Sequence, residues 1–214
     1  LPCYCLSADP GLPGFGPPGA LCLGKWQQDE HGEGDWQLKK IATLATLDAS
    51  RFRLPLIEAL RHLFESFTET PLIVDAPGVA RGIGGAELLP ALVNAGRIDT
   101  LVRLAPSDAP EALSQEYRAL GIEQLTLTPD PQAQHPGKQR RTQRRTQAWD
   151  AYLSGATEHS IELSRLAVIG TPPPRRAIDA WRGRQLGLLD AQSNTLALGE
   201  IIELRGDRLH FLAP

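Results

Sequence analysis

The sequence predicts an α/β fold, a doubly wound and mostly parallel sheet with a small β-rich appendage at its C-terminal end. Three observations predict it. Compact apolar runs such as PLIVD (71–75), TLVRLA (100–105) and EQLTLT (123–128) have the length and flanking residues of buried strands. The segments between them carry apolar residues at helical spacing, the alternation that crossover helices give a parallel sheet. Beyond about residue 157 the helical segments give way to short alternating runs with turn residues.

In chain order, the first apolar run, YCLSA, ends in Asp9 and breaks into a loop dense in glycine and proline before a second strand-like run, ALCLG. QLKKIATLAT (37–46) alternates and carries β-branched residues, which predicts a strand. PLIEALRHLFESF (55–67) predicts a helix, with Pro55 suited to its first turn. The strand at 71–75 follows. AELLPALVNAG (86–96) predicts a helix with a terminating glycine, and the strand at 100–105 comes next. APEALSQEYRALG (109–121) predicts a helix closed by Gly121, ahead of the strand at 123–128. In the C-terminal part, GTPPPRR is a stiff connection and turns are expected at Gln192 to Asn194 and at Gly206-Asp207. The predicted boundary divides 1–157 from 158–214.

Bulk properties narrow the function classes. The 214 residues carry a formal net charge of −3, so no global basic field draws the chain to nucleic acid and any such binding needs a local patch. Cysteines at 3, 5 and 22 are an odd number in a chain too large to need disulfide staples, which predicts reduced thiols and a cytoplasmic protein. No apolar run has membrane-spanning length, and no membrane partner is expected. The chain starts at Leu1 inside a predicted strand and contains no methionine, which predicts that its beginning is missing.

Three features carry chemistry. The first is Asp9: in open α/β sheets ligands sit beyond the carboxyl ends of the strands, where an acid can hold Mg²⁺ or take a proton from an attacking hydroxyl. Gly11 and its neighbours let the backbone approach such a ligand. The second is PLIVDAPG. An apolar strand ending in an acid, Asp75, suits a magnesium-associated carboxylate, and an Asp-x-x-Gly turn places the Gly78 amide where it can meet a terminal phosphate. Arg81 and the GIGG run from Gly82 precede a helix whose free N–H groups suit an anion. The third is GKQRRTQRRTQAWDAY: Lys138, Arg140, Arg141, Arg144 and Arg145 occur without an intervening acid. On a helix the pairs 140/144 and 141/145 stack one turn apart. Such a face repels itself unless phosphates neutralise it. Trp149 and Tyr152 read as core anchors. The only GxxxxGK in the chain, Gly19 to Lys25, is rejected as a phosphate loop because its interior is a strand-like apolar run and Trp26 follows where Ser or Thr is required.

In this order the three features resemble the polynucleotide 5′-hydroxyl kinases related to the RNA kinases of tRNA splicing, pre-mRNA cleavage and ribosomal RNA processing, over most of residues 1–155. The resemblance implies a P-loop NTPase-like sheet. ADPGLPGFGPPG follows the family's strand, turn and Pro-Pro-Gly pattern, with Leu12 in place of glutamine, and implies that Asp9 is the general base or a magnesium-associated acid. In LIVDAPGVARGIGGAELL, Val79 stands in the place of an aromatic clasp that meets nucleic acid, and Asp75 where eukaryotic members tend to carry asparagine. The family's lid carries Arg-x-x-x-Arg, matched here in two registers, both retained. The tail from about 158 is similar, more loosely, to the C-terminal part of bacterial members. The implied reaction transfers the γ-phosphate of ATP, with Mg²⁺, to the 5′-hydroxyl of RNA or DNA. Asp9 would act on the hydroxyl, and the lid arginines would neutralise charge on the moving phosphoryl group; Lys138 is expected to meet nucleic acid. The phosphate loop itself is expected upstream of Leu1. Two alternatives stand beside this: a non-catalytic kinase-like scaffold that binds RNA or a protein, and a regulatory P-loop NTPase such as a GTPase, which lacks an NKxD-like motif here.

Overall fold

The computed structural model describes residues 3–30, 32–65, 67, 71–106, 113–133 and 136–214. The first strand, β1 (Tyr4–Ser7), is buried along its whole length. It lies between two neighbours of opposite sense, in a sheet of order β3-β2-β1-β4. β2 (Ala20–Gln28) and β3 (Gly34–Thr43) return as an antiparallel meander, while β4 (Leu72–Asp75) runs parallel to β1. The doubly wound expectation therefore fails at β2 and β3, and for a physical reason. A parallel return needs a crossover, usually a helix, and the loop between Ser7 and Ala20 is too rich in proline and glycine to form one.

One face of this sheet is closed by two helices. In α1 (Arg53–Glu65), Leu56, Leu60 and Leu63 recur at helical spacing and are buried. In α2 (Gly82–Gly96), Leu88 and Leu92 do the same, and both helices pack on Leu6, Leu21, Leu23 and Ala42. Pro90 lies inside α2, and the left-handed residue that ends the helix is Arg97 rather than the expected Gly96. The opposite face buries Ala20 and Cys22 against Leu198, with Phe15, Ile41, Trp149 and Tyr152 packed around them.

A second parallel pair, β5 (Thr100–Leu104) and β6 (Glu123–Leu127), stands apart from the first sheet. Between them lies α3 (Ser114–Ala119), shorter than the predicted 109–121; residues 109–112 of that prediction lie outside the described residues, and Gly121 is left-handed just after the helix, as expected. α4 (Lys138–Tyr152) carries the arginine run. The C-terminal part is an antiparallel sheet, β7 (Thr157–Glu162), β8 (Gln185–Leu189), β9 (Thr195–Arg205) and β10 (Arg208–Ala213), in the order β7-β10-β9-β8. It has its own core of Leu163, Trp181, Ile201, Leu204, Leu209 and Phe211. The connections from β8 to β9 and from β9 to β10 fall at the expected turns, and the one from β7 to β8 is long and includes the GTPPPRR segment. No helix among the described residues is long and apolar enough to cross a membrane.

Candidate functional site

The register of β1 against β4 sets Ser7 beside Asp75, so the carboxyl ends of the two parallel strands finish level. Asp9 follows two residues later, and its Oδ1 accepts hydrogen bonds from the amides of Gly11 (2.8 Å) and Leu12 (3.3 Å). Gly11 has no room for a side chain: a Cβ there would stand 2.6 Å from the Leu47 carbonyl oxygen. The loop then folds back over the strand ends. The Gly14 amide donates to the buried Ser7 Oγ at 2.9 Å, and a Cβ on Gly14 would be 3.8 Å from both that hydroxyl and Asp75 Oδ2. A larger side chain at 14 would project into the space between hydroxyl and carboxylate.

The Asp75 carboxyl is pushed above its ordinary range, first by the protein packed on its inner side and then by the negative charge of Asp9. Two carboxylates and a hydroxyl are hard oxygen donors, too few to cage an ion alone. That set suits Mg²⁺, which keeps several waters and takes one or two carboxylates together with substrate phosphates. No larger cluster of His, Cys, Asp and Glu with metal-binding geometry occurs among the described residues.

The wall opposite is α4. Arg145 Nη1 donates to the Gly11 carbonyl at 3.4 Å, and its Nη2 to Thr142 Oγ1 at 3.1 Å. Arg144 and Arg145, with Leu12, Phe15 and Tyr152, line a cleft of about 520 Å³ between the glycine-proline loop and the helix. The last turn of α4 is pinned by the C-terminal sheet: Trp149 Nε1 donates to Glu200 Oε2 (2.8 Å), and the Leu198 amide donates to the Tyr152 hydroxyl (3.0 Å). β9 thus fixes the height at which the two arginines meet the loop, and Trp149 and Tyr152 serve as the anchors their sequence position predicts.

The structure therefore brings Arg145 onto the loop that follows Asp9, through Gly11, and sets Arg144 and Arg145 on a cleft lined by Leu12 to Gly16 of that loop, with Asp9 and Asp75 outside its lining. Lys138, Arg140 and Arg141 are exposed toward the start of α4 and do not line the cleft. Gly78, Arg81 and Gly82 occupy the exposed turn from β4 into α2; nothing lies within 4 Å of a Cβ on Gly78 or Gly82, and Gly82 is left-handed. Val79 is half-buried against the leucine core. Ser7, Phe15 and the Leu47 carbonyl are parts of the site that the sequence reading missed. Ser7 carried a signal, a lone hydroxyl in an apolar strand two residues before an acid.

A family model for the P-loop of the mRNA cleavage and polyadenylation factor CLP1 matches residues 2–155. The chain belongs to the CLP1 P-loop family. That places it among relatives of the polynucleotide 5′-hydroxyl kinases and fixes a P-loop-related α/β fold. Two solved structures agree in fold. A wild-type Clp1p–Pcf11p complex superposes with a TM-score of 0.74 at 13% identity, covering 99% of this chain and 63% of that one. A second, concerned with the extended interface between Pcf11p and Clp1p and with ATP loss in a point mutant, gives 0.72 at 13% identity over 99% and 64%. The chain thus spans a little under two thirds of these CLP1-family structures. No curated protein matches the sequence.

Proposed function

We propose that this chain is the acceptor-side part of an ATP-dependent polynucleotide 5′-hydroxyl kinase, which transfers the γ-phosphate of ATP to the 5′-hydroxyl of RNA or DNA. The observation that supports this reading is the hydrogen bond from Arg145 to the Gly11 carbonyl, because the amide of Gly11 is held by Asp9 Oδ1 and the contact ties the arginine helix to the loop that follows the acid. Asp9 accepts or orients the 5′-hydroxyl proton as the O5′–Pγ bond forms and the Pγ–O bond to ADP breaks. Arg144 and Arg145 neutralise the charge spread over the transferring group. Asp75 and Asp9 would hold Mg²⁺, which supplies charge neutralisation at the phosphates. The Gly78 amide and the turn through Arg81 and Gly82 face the nucleotide side, and Lys138 and the outer arginines, Arg140 and Arg141, meet the backbone of a longer strand.

The phosphate loop is a separate requirement. Gly19 to Lys25 runs directly into β2, which is buried from Ala20 to Gly24, so it cannot cradle phosphates. Val102, Leu104, Leu125 and Leu127 share one face of the β5–β6 pair and are 45–69% exposed, and Ile73 on β4 is 56% exposed. Parallel sheets are covered on both faces. We take this bare apolar surface as the seat of a strand–loop–helix unit that brings the phosphate loop, joins the two parallel pairs and completes a doubly wound sheet. Residues 1–157 then form the kinase unit and 158–214 the appendage that braces α4.

The test is transfer of labelled γ-phosphate to a 5′-hydroxyl oligonucleotide by the protein that includes its phosphate loop. The double variant Arg144→Ala, Arg145→Ala is expected to lose about 10³- to 10⁵-fold in rate. Undiminished turnover would remove the lid assignment. A non-catalytic protein-binding scaffold is the second reading, favoured by the exposed apolar segment through Leu166, Val168 and Ile169 and by the protein partner in both CLP1-family structures. Intact folding with no transfer by the wild-type protein would support it.

A further inference from the structure

The cleft continues onto a row of aromatic rings that the proposed chemistry does not use. Phe15, on the cleft wall, stacks on Trp36 with centroids 5.3 Å apart and planes 22° from parallel. Trp36 in turn meets Trp26 edge to face at 5.1 Å. Trp26 and Trp36 are register partners across β2 and β3, as are Gly24 and Leu38. Two glycines make room for the rings. A Cβ on Gly24 would stand 2.6 Å from Phe15, and one on Gly34 would collide with the Trp26 indole. Trp26 is 39% exposed, and Phe15 and Trp36 are partly exposed.

The charge around the row is divided. Arg144 and Arg145 share the cleft with Phe15, Lys25 and Lys39 lie on the opposite face of the hairpin, over the Tyr4 ring and against Gln37, and Asp29, Glu30, Glu33 and Asp35 crowd the tip. Aromatic faces accept any base, and the two guanidinium groups that share the cleft with Phe15 accept phosphate, the combination that holds single strands without sequence preference. The acids at the tip repel a phosphate backbone that tries to continue.

We propose that the Phe15–Trp36–Trp26 row is the stacking platform for the first two or three bases of a single-stranded nucleic acid whose 5′ end lies between Asp9 and Arg145, and that the acidic hairpin tip ends the footprint there. The assignment rests on the kinase reading and sharpens it: acceptor recognition is short, base-dependent and indifferent to sequence. A site of this kind takes ends and single-stranded overhangs, and it excludes a terminal pair buried in duplex stacking.

Fluorescence anisotropy of the full 214-residue chain with 5′-hydroxyl oligothymidylates, intact or abasic at the first two positions, tests it. The wild-type chain is expected to bind the intact strand about 10- to 100-fold more tightly than the abasic one, the range stacking gives. Lengthening from four to eight nucleotides is expected to add less than twofold. Trp36→Leu should remove the intact-over-abasic advantage and leave abasic binding unchanged, while Trp36→Phe restores most of it; an unaltered thermal midpoint in Trp36→Phe shows that the hairpin is folded. An advantage that survives in Trp36→Leu, or affinity that keeps climbing with length, overturns the platform while leaving the kinase reading intact. Binding that is absent for every oligonucleotide, or indifferent to Arg144→Ala with Arg145→Ala, overturns both.

Discussion

β1 with β4 and β5 with β6 share the same parallel geometry and differ in what covers them. The first pair is held in a four-stranded sheet, with Leu6, Leu72 and Val74 packed under α1 and α2. The second has α3 between its strands and Tyr117 buried beneath Arg103, yet it leaves four apolar side chains in water on the other face. The covered pair ends level at Ser7 and Asp75, with Asp9 two residues further along the chain. The uncovered pair makes no part of the cleft. The difference teaches that the strand pair that carries the acids of the proposed site is the one covered by helices, while the apolar face of β5 and β6 stays exposed and is where we propose that a further unit packs.

That contrast can be broken by substitution. In α1, Leu60→Ala removes a fully buried side chain from the covered side and is expected to cost about 2–5 kcal/mol, read as a lower urea midpoint. Leu125→Thr with Leu127→Thr keeps strand propensity and should change the stability of residues 1–214 by about 0.5 kcal/mol or less each. In a protein carrying the proposed strand–loop–helix unit, the same two changes should cost about 1–3 kcal/mol each, because the side chains are then removed from water. Equal effects in both settings would mean that nothing docks on that face.

The smallest effect concerns Asp75. Its folded-state pKa lies above the ordinary value of 3.8, so between those two values the folded protein keeps a proton that the unfolded chain has released. Stability contributed by the neutral form is therefore lost as pH rises through that window. Asp75→Asn should raise the thermal midpoint at pH 7 and leave it unchanged at pH 3. A lowered midpoint at pH 7 would show that the carboxylate has a stabilising partner instead.

Much of this arrangement was legible from the residues. Asp9 and Asp75 stood out because each closes a compact apolar run, and the arginines because no acid interrupts them. The sense of β2 and β3 was not legible, since an apolar run looks the same in either direction and only the missing crossover helix betrays the meander. Which arginines reach the cleft was not legible either. Helical spacing pairs 140 with 144 and 141 with 145, but the contact with Gly11 depends on where Trp149 and Tyr152 are pinned by β9. Phe15 was missed because its partners, Gly24 and Trp36, are distant in sequence and meet only through the hairpin. The alternation beyond residue 157 was read correctly, since antiparallel strands with tight turns leave local signals.

The central claim is that Asp9 acts on an acceptor hydroxyl across from Arg144 and Arg145. Single-turnover transfer of γ-phosphate to a 5′-hydroxyl oligonucleotide, measured for Asp9→Asn in the protein with its phosphate loop, tests it most directly. A loss of about 10²- to 10⁴-fold with an unchanged thermal midpoint is the result predicted. Transfer at the wild-type rate would contradict it.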